Sequence, residues 1–172
     1  MKILGLVGYK ESGKDTTLAC IRELLPTQQI VRHNFADPLK QEVAKALDIT
    51  IEALDANKTA YRTLLQVWGT DVRRKIHGED YWVLRWGNTL NRLTPLPDLV
   101  VATDVRFFNE AKMINDCGGK LLRVTRPGKN GDSHASELEV GGICGDSVVN
   151  NNSDLVTLKQ NIKGSLKHLG II

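Results

Sequence analysis

The stretch GLVGYKESGKDTTLACI, residues 5–21, comes close to the pattern of a loop that binds phosphate groups. That pattern has a glycine, four variable residues, and then Gly-Lys followed by Ser or Thr. Gly8, Gly13 and Lys14 occupy the required positions, whereas Asp15 stands where the pattern has a hydroxyl residue. An acidic side chain beside phosphates raises the question of whether this loop can work.

The loop lies between two runs that give it the right local context. KILGLV (2–7) predicts a buried strand, and TTLACIRELL (16–25) predicts a helix that ends before Pro26. At the start of a helix, backbone N–H groups and the helix dipole attract anions, and Lys14 would reach the outer phosphates of a nucleotide. We favour this interpretation over a glycine-rich turn that carries a surface lysine.

Asp15 has two interpretations that the residues alone leave open. Its carboxylate could bind Mg²⁺, since hard cations prefer oxygen ligands. Alternatively, it could only favour the first helical turn electrostatically. Thr16 and Thr17 follow it, and the hydroxyl of Thr16 is placed to reach a nucleotide phosphate.

The composition is that of a single globular domain. The chain has 172 residues, 41% of them apolar and 25% charged. A net charge of +3 does not indicate nucleic-acid binding and suits a small anionic substrate. The apolar start runs directly into charged residues, and no run reaches the length of a membrane span. We therefore expect a cytoplasmic protein whose three cysteines, Cys20, Cys117 and Cys144, are reduced thiols.

Apolar runs alternate with amphipathic runs along most of the chain, which predicts an α/β domain with three layers and a parallel sheet. Further strands are predicted at QIVRHNF (29–35), DLVVATDV (98–105), KLLRVT (120–125) and SVVNN (147–151). Helices are predicted at FNEAKMINDC (108–117), capped by Gly118 and Gly119, and at DLVTLKQNIKGSLKHL (154–169).

Two inserts interrupt this alternation. Residues 38–93 have helical periodicity and predict a helical insert, with Trp68, Trp82 and Trp86 in its core. Residues 126–146 are rich in glycine and polar residues without a period, which is typical of a disordered segment or a functional lid.

Several stretches support a specific resemblance. GYKESGKDTT (8–17) is followed in order by FADPLK (35–40), YRTLLQVWGTDVRR (61–74), DYWV (80–83), TDVRFFNEA (103–111) and DSHASE (132–137). In these stretches the chain resembles phage deoxynucleoside monophosphate kinases, which have the P-loop kinase fold. Gly-Lys-Asp-Thr is the form of the loop in that family, so Asp15 is a family variant and the loop is expected to work.

The resemblance implies a fold and a reaction. The expected fold is a five-stranded parallel sheet of order 2-3-1-4-5, with a monophosphate-binding insert at 38–93 and a lid at 126–146. The expected reaction transfers a phosphoryl group from ATP, with Mg²⁺, to a deoxynucleoside monophosphate. The expected binding partners are small nucleotides. Binding to nucleic acid or to membranes is not expected, and the resemblance leaves open whether the protein forms a homodimer.

The resemblance also implies roles for individual residues. ATP binding is assigned to Glu11, Ser12, Gly13, Lys14, Asp15, Thr16, Thr17 and Arg126. Substrate binding is assigned to Lys10, Asp37, Leu39, Lys40, Arg62, Gln66, Asp104 and Arg106. Catalytic roles fall to Lys14, Lys10, Arg126 and Asp104, and Mg²⁺ binding to Asp15 and Asp104.

The acceptor-site residues also have simpler interpretations. Asp37 is predicted to be a helix N-cap with Pro38 at the first helical position, whether or not it also faces a site. Arg62 and Gln66 are four residues apart, so they share a helix face that could bind a monophosphate or simply be solvated. Arg73 and Arg74 are predicted to be surface residues.

Most of the remaining polar motifs also have both a functional and a structural interpretation. Asp104 ends an apolar run in the manner of a metal-binding acid at a strand end, although such acids also cap loops. Asn109 and Glu110 could bind a sugar or start a helix. Arg123 lies within a strand, where it would pack or pair, and the motif HASE, with His134, Ser136 and Glu137, is interpreted as part of the lid. The NNNS loop (150–153) could seat adenine or be an ordinary turn.

Two other functions compete with this prediction. One is a kinase for another small phosphorylated metabolite, similar to phosphomevalonate or dephospho-coenzyme A kinases. The other is a nucleotide sensor without catalysis, in which the lid arginines would be dispensable. A nucleic-acid end kinase is disfavoured because the sequence shows no continuous basic channel.

Overall fold

The computed structural model describes residues 1–128 and 139–172, which form two compact units. Unit 1 comprises Met1–Asn34 and Leu93–Ile172, and unit 2 comprises Phe35–Arg92. Unit 2 is therefore inserted into the sequence of unit 1. Within the described ranges, no helix is both long enough and apolar enough to cross a membrane.

Unit 1 is built on a five-stranded parallel sheet. Its strands are β1 (Lys2–Val7), β2 (Ile30–Arg32), β3 (Leu99–Val105), β4 (Lys120–Thr125) and β5 (Ser147–Asn150). The strand order is β2-β3-β1-β4-β5, as predicted. The central strand β1 pairs with β3 on one side and with β4 on the other. Both faces of β1 and β3 are buried, which explains why their sequences are continuous apolar runs.

Three helices accompany this sheet, namely α1 (Lys14–Leu24), α7 (Phe108–Asp116) and α8 (Leu155–His168). Helices α1 and α8 pack with the sheet into one core, whose buried members include Leu4, Leu18, Leu122 and Ile162. Helix α7 ends as predicted, because the N–H groups of Gly118 and Gly119 donate to the Asn115 and Ile114 carbonyls, each at 2.9 Å.

Strand β2 is shorter than the predicted range 29–35, because side-chain pairing replaces backbone pairing beyond His33. The His33 N–H still donates to the Val101 carbonyl at 3.0 Å. At the next position the side-chain oxygen of Asn34 accepts from the Thr103 N–H at 2.8 Å. The apolar pattern predicted a longer strand because it could not reveal this exchange.

Part of the predicted lid belongs to the packed structure of unit 1. Residues Glu139–Gly142 form one 3₁₀ turn, and Val140 and Ile143 are buried. The Arg123 guanidinium donates to the carbonyls of Val140 and Ile143, at 2.8 and 2.6 Å. The predicted lid residues 129–138, with His134, Ser136 and Glu137, lie outside the described residues.

Unit 2 is helical throughout its regular elements. It contains α2 (Asp37–Ala46), α3 (Ile51–Ala56), α4 (Lys58–Gln66), a π-helical segment (Val67–Arg74), α5 (Lys75–His77) and α6 (Tyr81–Leu90). Val43, Ala44 and Leu54 form its small core, against which Trp68 packs. Trp82 and Trp86 are buried, so the prediction that the tryptophans belong to the core of this unit is confirmed.

The predicted N-cap of α2 is wrong by one residue. Ala36 is the N-cap, Asp37 is the first helical residue, and no side chain caps the helix. The reason is that Ala36 already has helical dihedral angles, φ −79° and ψ −9°, so its carbonyl accepts from the Lys40 N–H. Asp37 instead places a negative charge in the first turn, where the helix dipole favours it.

Candidate active site

The turn between β1 and α1 depends on its two motif glycines. Gly13, the N-cap of α1, has φ +102°, and a Cβ added there would lie 2.2 Å from Nδ2 of Asn151. A Cβ on Gly8 would lie 2.4 Å from the Val124 carbonyl oxygen and 2.6 Å from Oγ of Ser12. No side chain fits at either position, so the glycine spacing of the motif reflects the geometry of the turn.

Lys14 folds back over the same turn. Its Nζ atom donates to the carbonyl oxygens of Gly8 and Tyr9, at 2.6 and 2.8 Å, and the residue is only 9% exposed. A positive charge is thereby held at the N-terminus of α1, where the helix dipole is also positive. This combination of charges is suited to binding an anion.

The turn also contains a strained residue and a buried hydroxyl without a partner. Glu11 has φ +61°, a backbone conformation that costs a non-glycine residue about 1–3 kcal/mol. Ser12 is 1% exposed, and among the described residues its Oγ atom has no hydrogen-bond partner. Strain and unsatisfied polar atoms concentrate at functional sites, and this hydroxyl could donate to an oxygen of a bound phosphate.

The residues after Lys14 differ in how accessible their side chains are to a ligand. Thr17 is fully buried, and its hydroxyl donates to the Gly13 carbonyl at 2.9 Å, so it supports the turn. Thr16 is exposed. Asp15 lies in the first turn of α1 with its side chain 84% exposed, 3.7 Å from a guanidinium nitrogen of Arg32.

Three predicted site residues lie at the carboxyl edge of the sheet, where this turn begins. Asp104 is half-buried near the end of β3, next to Val105, which pairs with Val7 of β1. Arg106 directly follows β3, and Arg126 directly follows β4. The carboxyl ends of neighbouring parallel strands share one edge, which is where α/β folds bind ligands.

Glu110 was predicted either to bind a sugar or to start a helix, and in the structure it starts helix α7. Its side chain is 4% exposed and accepts from the N–H groups of Arg106 and Phe107, at 2.8 and 3.2 Å. This pairing completes a capping box at the start of α7. Glu110 therefore fixes the backbone at Arg106, which is one of the predicted substrate-binding residues.

The other predicted acceptor residues lie on two helices of unit 2. Helix α4 carries Arg62, which is exposed, and Gln66, which is partly buried. Helix α2 carries Asp37, Leu39 and Lys40, of which Leu39 packs against the small core. The ammonium of Lys40 lies 2.7 Å from a carboxylate oxygen of Asp55.

Comparison with known proteins assigns the family. The family profile for deoxynucleotide monophosphate kinases matches residues 49–162. A protein of Acanthamoeba polyphaga mimivirus, provisionally named a deoxynucleotide monophosphate kinase, is 30% identical in a match that covers 87% of each chain.

The chain belongs to the deoxynucleotide monophosphate kinase family. The resemblance inferred from the sequence motifs is thereby confirmed. The crystal structure of shikimate kinase from Aquifex aeolicus superposes with a TM-score of 0.51, 16% identity and 96% coverage of both chains. That likeness shows that the kinase has the P-loop kinase fold.

Sequence reasoning missed Glu42 as the centre of a polar network in unit 2 of the kinase. One carboxylate oxygen accepts from Tyr81 Oη at 2.7 Å and from Arg85 at 3.0 Å. The other accepts from Trp68 Nε1 at 3.2 Å and from Arg73 Nε at 2.8 Å. Burial alone would raise the pKa of Glu42, but the hydrogen bonds from Tyr81, Trp68 and Arg73 outweigh it and lower that pKa.

This network corrects the prediction that Arg73 and Arg74 are surface residues. The Arg73 guanidinium lies 5.8 Å from the ring centroid of Trp68 and 5.6 Å from that of Tyr81. Arg74 is only 6% exposed, and it donates to the Glu79 carbonyl at 3.4 Å. The interleaving of arginine and aromatic residues from 68 to 85 was the signal that could have indicated such packing.

The sequence analysis considered the 150–153 loop of the kinase as a seat for adenine but missed the contact that Asn151 makes with Ser12. The Nδ2 atom of Asn151 donates to the Ser12 carbonyl at 2.9 Å, which joins the 150–153 loop to the phosphate-binding turn. The neighbouring Asn150 accepts from the Thr125 hydroxyl at 2.6 Å. An asparagine-rich turn after a strand gave no indication of either contact.

The described residues of the kinase offer carboxylates for Mg²⁺ at the turn and at the sheet edge. Across 1–128 and 139–172, no three His, Cys, Asp or Glu side chains gather closely enough to hold a metal by themselves. Mg²⁺ in phosphate-transferring enzymes binds through one or two carboxylates together with substrate phosphates. Asp104 and Asp15 supply such hard oxygen donors, so the residues present fit this ion.

Proposed function

We propose that this protein transfers the γ-phosphoryl group of ATP to a deoxynucleoside 5′-monophosphate, giving ADP and a deoxynucleoside diphosphate. The observation that carries the proposal is the Gly8–Lys14 turn, with its held ammonium and its unpartnered buried hydroxyl at Ser12. Family membership supports the choice of acceptor.

The turn provides the binding site for the ATP phosphates. The first backbone N–H groups of α1 suit phosphate oxygens, and this series ends at Thr17, whose N–H already donates to the Gly13 carbonyl at 2.8 Å. Lys14 exchanges its hydrogen bonds to the turn carbonyls for bonds to the outer phosphates. Its charge then stabilises the oxygens on which negative charge develops during transfer.

Asp104 and Asp15 are the residues we assign to Mg²⁺. When bound with ATP, this ion neutralises charge on the donor phosphates. Arg32, 3.7 Å from Asp15, forms only an exposed ion pair, and such pairs contribute little stability. Asp15 can therefore exchange this partner for a cation at low cost.

Acceptor binding is assigned to residues of both units, each taken separately. In unit 2, Arg62 has the planar donor geometry that suits a phosphate, and Gln66 lies one helical turn further on the same face. On α2, we assign acceptor binding to Asp37, Leu39 and Lys40. In unit 1, the candidates are Lys10, in the turn after β1, and Asp104 and Arg106, at the end of β3.

The acceptor needs no strong general base, because a monophosphate is already an anion at neutral pH. The rate then depends on alignment of the two substrates and on stabilisation of the transferring group. We assign this stabilisation to Lys14 and to Arg126, which follows β4 directly. The reaction takes place in the cytoplasm, where ATP and deoxynucleotides are available.

An ADP-release assay across the deoxy- and ribonucleoside monophosphates tests the proposal. We expect ADP release to rise well above the acceptor-free rate with at least one deoxynucleoside monophosphate and to require Mg²⁺. Chromatography should identify the matching diphosphate as the second product. Binding of ATP without acceptor-dependent ADP release from any deoxynucleoside monophosphate would contradict the proposed function.

A further inference from the structure

Asn151 connects the end of β4 with the phosphate-binding turn. Its backbone N–H donates to the Thr125 carbonyl at 2.7 Å, and its side-chain Nδ2 donates to the Ser12 carbonyl at 2.9 Å. The residue is partly buried, so solvent competes weakly for these bonds. The backbone is thus fixed on the sheet while the side chain holds the turn.

The bond to Ser12 sets the direction of a whole peptide unit. The peptide between Ser12 and Gly13 is planar and trans, so its C=O and N–H groups point in opposite directions. Because the carbonyl is directed at Asn151, the Gly13 N–H is directed away from the 150–153 loop. Gly13 is the N-cap of α1, the position from which N–H groups contact bound anions.

The contact has room for an amide and for little else. The position of a Cβ on Gly13 lies 2.2 Å from Nδ2 of Asn151, so the amide rests directly against the glycine. A carbonyl oxygen can only accept a hydrogen bond, so the side chain that faces Ser12 must present a donor. Aspartate has the same shape but presents two acceptors at neutral pH.

We propose that Asn151 is a positioning residue for the phosphate-binding turn, which holds the Ser12 carbonyl outward so that the Gly13 N–H faces the donor phosphates. The inference rests on the proposed function and deepens it. Asn151 itself need not touch the nucleotide. We expect its effect to be confined to ATP and ADP, because the acceptor is assigned to residues other than Ser12 and Gly13.

The test compares Asn151→Asp with Asn150→Asp in the full chain. Both variants add one negative charge to the same turn, but only the first removes the donor to Ser12. The carboxylate in Asn150→Asp can still accept from Thr125. We expect Asn151→Asp to weaken binding of a fluorescent ADP analogue about tenfold or more, and to raise KM for ATP similarly, relative to Asn150→Asp. The KM for the deoxynucleoside monophosphate should stay within about twofold of wild type in both variants.

Amide NMR adds a readout that a purely structural role would not change. Adding ADP should shift the Gly13 N–H signal strongly in wild type and in Asn150→Asp, and weakly in Asn151→Asp. Equal weakening of ADP binding by both aspartate variants would show a charge effect alone and overturn the inference. Wild-type ADP affinity in Asn151→Asp would overturn it as well.

Two further measurements keep the result interpretable. Should thermal unfolding show that Asn151→Asp does not fold, Asn151→Ala takes its place, with the same expected order of ADP affinities and the same overturning outcomes. ADP binding by wild type is needed for the inference, whereas phosphorylation of an acceptor is not. A wild-type protein that binds ADP but phosphorylates no deoxynucleoside monophosphate would therefore contradict the proposed function alone.

Discussion

The ammonium of Lys14 lies 2.6 Å from the carbonyl oxygen of Gly8, six residues earlier on the opposite side of the same turn. We expect Lys14→Met to lower kcat/KM by at least about 100-fold, because a preorganised charge on the transferring group is lost. Circular dichroism should show a folded protein. Lys112→Met, at an exposed lysine of unit 1, provides the control and should retain full activity. A Lys14→Met enzyme of near wild-type rate would contradict the assignment of the turn to ATP.

Arg62→Lys tests the acceptor site, because lysine keeps the charge but loses the planar pair of donors. We expect KM for the deoxynucleoside monophosphate to rise about 10- to 100-fold, while KM for ATP changes little. Steady-state kinetics with each substrate varied in turn gives both values. The exposed Arg92 allows the same change elsewhere in unit 2, and Arg92→Lys should alter neither KM. An equal rise in both KM values for Arg62→Lys would reject the assignment.

Arg126→Ala separates binding from catalysis. If the guanidinium acts on the phosphoryl group in transit, kcat should fall by about 10²–10³ while both KM values stay nearly constant. Arg22→Ala, at an exposed arginine of α1, is the matched control and should leave kcat unchanged. A change in KM without a change in kcat would show that Arg126 only binds a substrate.

The two carboxylates assigned to Mg²⁺ can be compared directly. We expect Asp104→Asn and Asp15→Asn each to raise the Mg²⁺ concentration needed for half-maximal activity, because each removes a charged oxygen ligand. Asp116→Asn, at an exposed acid of α7, should not change it. If Asp15→Asn instead costs about 0.3–1 kcal/mol of stability with a normal Mg²⁺ requirement, Asp15 acts on the helix dipole alone.

Glu42→Gln should destabilise unit 2 by about 1.5–3 kcal/mol at pH 7, because hydrogen bonds to a charged group are replaced by weaker ones. The pKa of Glu42 in the folded protein lies below its ordinary value of 4.5. The ionised carboxylate therefore stabilises the fold in full above pH 4.5, and this contribution is lost as the pH falls through the lowered pKa. Denaturant unfolding at pH 7 and in steps below pH 4.5 should show the two proteins converging in stability. A constant difference over that range would contradict the role of the charge.

Local sequence patterns were sufficient to locate the strands of the sheet and the phosphate-binding turn, whereas the strand order was predicted from the family resemblance. Continuous apolar runs marked β1 and β3, whose two faces are buried. The spacing of Gly8, Gly13 and Lys14 marked a turn in which no other residues fit at the glycine positions. Such features follow from residues close together in the chain.

The contacts that could not be predicted join residues far apart in the chain. Asn151 and Ser12 are separated by 139 positions, and an asparagine in a polar loop looks the same with or without this contact. Glu42 and Tyr81 are 39 positions apart. An arginine is usually a surface residue, so the sequence did not indicate that the Arg73 guanidinium lies against the rings of Trp68 and Tyr81. Tertiary packing decided these positions, and periodicity contains no information about it.

The central position of β1 has a consequence during protein synthesis. Strand β1 is synthesised before both of its neighbours in the sheet, β3 and β4, which lie much later in the chain. At about 5–20 residues per second, roughly 5–20 s pass between the emergence of Val7 and that of Val105, where β3 ends. Throughout this interval the nascent chain displays an apolar strand with two unpaired edges, which is a site for aggregation or chaperone binding. A chain released before residue 99 would carry this strand with no partner at all, and translation pauses in that region should lower the yield of folded enzyme.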